Sequence, residues 1–88
     1  MANRPSRATR YIREAAARAE ASGITVDCDS SFSTVAIDAP GCDGVFMQGD
    51  EADSFIAERE ALCKRYRSLE PSVAELALAE PYGDVLFH

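Results

Sequence analysis

The stretch from Gly44 to Tyr66 constrains the chain more than any other: it reads as a short strand, a corner at Gly49, and the longest helix. Asp50 is placed to cap that helix, its carboxylate accepting backbone N–H bonds two or three residues on. Glu51 and Asp53 put negative charge where the helix dipole is positive. Ala52, Phe55, Ile56, Arg59, Leu62, Cys63 and Tyr66 recur at helical spacing, an apolar stripe that Arg59 alone interrupts. The spacing predicts a core helix over 50–68 with an acidic start.

The flanking segments complete an α+β pattern. Ala8, Tyr11, Ile12, Ala15, Ala16 and Ala19 fall on one face of a helix over 6–21, and Gly23 is placed to end it in the left-handed conformation. Glu14 and Arg18 are oriented for an i,i+4 pair, and the small alanine face suits close packing on a sheet. A strand over 24–28 points Ile24, Val26 and Cys28 inward, and Thr25 and Asp27 outward. A second strand over 32–38 points Val35 and Ile37 inward, and Thr34, Ala36 and Asp38 outward; a third spans 45–48. The turns Asp29-Ser30-Ser31 and Pro40 to Gly44 are short, which favours an antiparallel meander with one wet face. Ser72 and Glu75 form a capping box for a short helix over 73–80 that stops at Pro81. The expected architecture is one domain, α-β-β-β-α-α, with a three-stranded antiparallel sheet packed on helices. The apolar tail Val85, Leu86 and Phe87 must either tuck against that core or dock on a second copy.

Charge is unevenly placed. The first 22 residues hold five arginines against Glu14 and Glu20, a net of +3, and residues 23–88 carry a net of −9. Between positions 27 and 60, nine acids face the single base Arg59. A surface of that sign repels phosphate and attracts basic protein grooves at long range. The N-terminal arginines read either as a nucleic-acid contact or as a solvated helix face, and the acids that follow oppose the first reading.

The pairings for nucleophilic catalysis are missing, although carboxylate pairs for acid–base work stay open and a chain this small has little room for a deep pocket. His88 is the last residue and the only histidine, which leaves no Ser-His or Cys-His pair. Cys28, Cys42 and Cys63 are too far apart for a clip, and an odd number argues against a closed disulfide framework. Cys28 and Cys63 read as core fillers and Cys42 as the candidate exposed thiol. The acids match no calcium loop, and the glycines form no phosphate cradle, so neither cofactor nor metal is expected. The chain has no apolar signal core and no stretch approaching the ~20 apolar residues of a membrane span, which predicts a cytoplasmic protein.

Two resemblances bear on function. The order α-β-β-β-α resembles double-stranded-RNA-binding domains, which grip phosphates with lysines at the start of the second helix. Asp50, Glu51 and Asp53 hold that place here, so the layout agrees and the chemistry does not. The segment Val45 to Ile56, with Ala79 to Tyr82, is similar to small proteins carried by bacteriophages and prophages. That resemblance implies a host-cell setting and a non-enzymatic inhibitor of the anti-CRISPR type. Its partner would be a host protein or ribonucleoprotein complex with a basic groove. The expected contact residues are Asp27, Asp29, Asp38, Asp43, Asp50, Glu51, Asp53 and Glu58, gathered on one exposed side; the alternative is that these acids only keep a small domain soluble. The competing expectation is a homodimeric phage accessory protein that uses Val85, Leu86 and Phe87.

Overall fold

A computed structural model describes residues 7–86, except for the side chain of Val85. Helix α1 (Arg7–Ala21) leads into strands β1 (Thr25–Asp29), β2 (Thr34–Asp38) and β3 (Val45–Gln48). Helices α2 (Asp50–Arg65) and α3 (Pro71–Ala79) follow, then a 3-10 turn (Glu80–Tyr82) and the short helix α4 (Gly83–Leu86). The sheet is antiparallel in the order β1-β2-β3, with Asp27 opposite Ala36 and Ala36 opposite Phe46. The fold is the expected α+β meander with helices.

One face of the sheet makes the core. Val35, Ile37 and Met47 are fully buried and cluster with Ala52, Phe55 and Ile56 of α2. Helix α3 lies beside α2 over β1, and α1 lies mainly on α3. The alanine face of α1 therefore serves helix–helix packing and not the expected contact with the sheet. That face is also rotated from its predicted centre: Thr9, Ala15, Ala16 and Ala19 are buried, while Ala8 and Tyr11 are exposed. The exit from α1 is as expected. Gly23 takes φ 78°, its N–H bonds the Glu20 carbonyl, and the Ile24 N–H bonds the Ala19 carbonyl. These two bonds satisfy the last carbonyls of the helix and deliver Ile24 to the core.

Several boundaries differ for local reasons. Strand β1 starts one residue late because Ile24 is bonded into the helix end, and Phe32 and Ser33 belong to the turn before β2. Asp50 is the first residue of α2, after Gly49 at φ 61°, and makes no side-chain cap; its charge still lies at the helix start. Helix α2 ends at Arg65, which lets the chain turn Leu69 inward before Pro71. A proline forces an extended residue before it, and Glu70 has ψ 146°; Pro71 then opens α3 at its first position. Ser72 consequently lies inside α3, and the predicted capping box does not form. Pro81 ends α3 but not the helical path, which resumes as a 3-10 turn and α4. Leu86 is 6% exposed and belongs to the core cluster. Phe87 and the side chain of Val85 lie outside the described residues.

Gly23 supports a stability prediction. A Cβ there would meet Pro40 Cδ at 2.9 Å, whereas Gly41, at φ 75°, has nothing within 4 Å of that position. Both alanine variants face the left-handed penalty of about 1–2 kcal/mol. Gly23→Ala should therefore lower the urea midpoint more than Gly41→Ala; equal midpoints would contradict the contact with Pro40.

Candidate functional site

The outward positions of the sheet form rows across the strands: Thr25–Asp38, Asp27–Ala36–Phe46, and Asp29–Thr34–Gln48. Asp27, Asp29 and Asp38 are exposed on this face, and Phe46, at its centre, is 60% exposed. Helices α2 and α3 cover the opposite face. Asp27 and Asp29 lie on an edge strand, where charge also discourages edge-to-edge pairing with another chain.

The remaining predicted acids fall into three places. The Gly49 N–H bonds the Ser33 carbonyl at 2.9 Å, tying the start of α2 to the β1–β2 turn. Asp50, Glu51 and Asp53 therefore stand at the same end of the sheet as Asp29. Asp43, in the β2–β3 loop, joins Asp38 at the other end, where the Asp38 carboxylate rests against Gly44. Strand rise separates the rows of Asp29 and Asp38 by about 13 Å, with Asp27 between them. Glu58 stands apart on α2, on the helical side of the sheet, in a shallow cleft with Ala61, Leu62, Arg65 and Leu78. Seven of the eight predicted acids thus occupy the outer face and the two ends of the sheet, and Glu58 does not join them.

All eight are exposed, and no ion pair among the described residues uses any of them. The carboxylates that meet guanidinium groups are others. Arg18 Nε lies 3.1 Å from Glu80 Oε1, which replaces the expected pairing of Arg18 with Glu14. Arg59 Nη1 lies 3.5 Å from Glu75 Oε2, with the two side chains only 23% and 16% exposed. That contact explains the one charge in the α2 stripe: Arg59 crosses to α3 instead of reaching water. Asp29 has a second duty, because its Oδ1 accepts the N–H groups of Ser31 at 2.9 Å and Phe32 at 3.3 Å. Its carboxylate shapes the turn that sequence chemistry placed there.

The basic helix is on the far side of the sheet. Arg13 donates to the Ser68 carbonyl at 3.3 Å and Arg18 bonds Glu80, so α1 is fastened to the α3 region by two of its arginines. Arg7 and Arg10 are exposed near the start of α1.

The three cysteines are free thiols and all are half-buried, so Cys42 is not the exposed thiol that its loop position suggested. Cys28 lies under β1 with Arg59 and Glu75. Burial pushes its pKa up from the ordinary 9.0, the Glu75 carboxylate adds to that, and the Arg59 guanidinium opposes it. Among the described residues no three His, Cys, Asp or Glu side chains converge as a metal site would require, and no helix is long and apolar enough to cross a membrane. The chain matches no protein-family model, no curated protein and no solved structure.

Two measurements follow from this geometry. Glu75→Gln leaves Arg59 half-buried without its counter-charge, and should cost about 1–3 kcal/mol in urea unfolding. Glu80→Gln, which loosens an exposed pair, should cost about 1 kcal/mol or less; the reverse ranking would contradict the assignment. A raised pKa keeps the Cys28 thiol neutral, so its stabilising contribution is intact below pH 9.0 and declines as pH rises through the elevated value. Iodoacetamide should modify Cys28 more slowly in the folded protein than in the urea-unfolded chain, and equal rates would rule out the burial effect.

Proposed function

We propose that the protein is a non-enzymatic inhibitor of the phage anti-CRISPR kind. It occupies the basic groove of a host nucleic-acid-handling complex, with carboxylates standing where phosphates go. The observation that carries this reading is the placement of exposed acids: seven of the eight predicted contact residues lie on the outer face and the two ends of the sheet, outside the ion pairs that Glu75 and Glu80 make with arginines. Leaving so many carboxylates unneutralised opposes compaction through self-repulsion, and a basic partner relieves it.

The spacing defines the kind of contact. Asp27 and Asp29 lie two residues apart on β1, about 7 Å along the strand. A strand of duplex DNA carries one charge per about 3.4 Å of axis, so the protein is the sparser track. It engages a groove at separated points, from Asp38 and Asp43 at one end to Asp50, Glu51 and Asp53 at the other. Helix α1 packs on α3, on the helical side of the sheet, and Arg13 and Arg18 are engaged there with Ser68 and Glu80, which limits how far their charge cancels the field that steers encounter.

The test uses purified CRISPR effector complexes assayed for binding of their target duplex. At least one should lose duplex binding in proportion to added inhibitor, without turnover. Asp43→Lys combined with Asp50→Lys should relieve the inhibition at least tenfold, and raised salt should slow association of the unmodified protein. Inhibition that survives the double reversal would eliminate phosphate mimicry, and inhibition at far less than one inhibitor per complex would eliminate the non-enzymatic reading.

A further inference from the structure

The outer sheet face holds a feature that charge alone does not require. Asp27, Ala36 and Phe46 face outward in one row across the three strands. At the spacing of neighbouring strands, the first and last of these lie about 10 Å apart. Ala36 between them has only a methyl group, so the row sets a carboxylate and an exposed benzyl ring on either side of a low point, here called the trough. Asp29 and Asp38 flank the trough along β1 and β2, one at each end. The ring stands exposed on a sheet whose other face already takes up the core, and no helix covers it.

We infer that this trough seats an arginine side chain of a protein partner, its guanidinium stacked on Phe46 and hydrogen-bonded to Asp27. The inference rests on the reading above, that the partner is a basic protein, and it names the chemistry of one contact. Arginine fits for three reasons. Its planar cation is attracted to the negative face of an aromatic ring. Its fork of N–H donors matches a carboxylate, which the compact ammonium of lysine does not. The face carries three carboxylates and no base among its outward positions, so a cation arrives with complementary charge. Single-stranded nucleic acid would also stack on Phe46, but its phosphates would meet Asp27, Asp29 and Asp38.

The probe is a labelled hexa-arginine peptide compared with hexa-lysine at equal ionic strength, read by fluorescence polarisation. Hexa-arginine should bind more tightly. Phe46→Leu, which keeps an apolar group and removes the ring, should weaken hexa-arginine by about two- to fivefold while leaving hexa-lysine nearly unchanged. Asp27→Asn, across the trough, should weaken it by a similar factor, and Phe46→Tyr should restore wild-type binding. Equal affinity for the two peptides, or a Phe46→Leu protein that binds like wild type, would overturn the seat. Tighter binding of a short single-stranded DNA would also overturn it, as would a wild-type dimer that Phe46→Leu dissociates. The peptide needs no target complex. If hexa-arginine binding depends on Phe46 while no effector complex is inhibited, the seat stands and the anti-CRISPR reading fails. If inhibition responds to charge reversal and Phe46 is immaterial to the peptide, the reverse holds.

Discussion

A sheet of three strands has two faces and, in a chain of 88 residues, enough apolar surface to cover one. That constraint shapes the rest of the molecule. Val35, Ile37 and Met47 meet Ala52, Phe55 and Ile56, and the remaining helices add to the same side. Helix α1 packs mainly on α3, where its alanines let the two helices lie close, and reaches the core cluster through Ala19. The other face stays in water, and its composition is then open to selection for something other than stability.

The Arg59–Glu75 contact joins the two helices that do cover the sheet. A charged pair in this position contributes little net stability over apolar residues of similar size, but removing one partner leaves the other poorly solvated. Its effect is to hold α3 against α2 and over β1, near Cys28, whose thiol stays neutral in that setting. The described carboxylates therefore differ in what they touch, and most of them meet water alone. Glu75 and Glu80 hold elements together, and the acids of the sheet face, the loop and the start of α2 project into water.

The parts of the fold that were legible in the sequence are those decided by local chemistry. Gly23 and Gly49 take the positive φ values that a helix exit and a strand-to-helix corner demand. The alternation of Thr34 to Asp38 has one solution, because shifting it by one residue would put Val35 and Ile37 in water. The parts that were not legible depend on distant partners. A face of alanines does not say whether it meets a sheet or another helix. The predicted pairing of Glu14 with Arg18 lost to Glu80, which lies 62 residues along the chain. The Ser72 capping box gave way to Pro71, which started α3 earlier, and Glu75 turned to Arg59. The candidate acids were visible as exposed residues, but their division between two ends of a sheet, with Glu58 on the other side, follows from the register and the helix layer.

A basic partner can be met only by carboxylates that are not already engaged within the chain. Carbodiimide footprinting of the free protein, read residue by residue by mass spectrometry, measures this directly. Asp27, Asp38, Asp43, Asp50, Glu51 and Asp53 should label at nearly the rates of the unfolded chain, and Glu75 should be strongly protected. Protection of the first group to the level of Glu75 would mean that the outer face is already occupied by the chain itself, and would contradict the account.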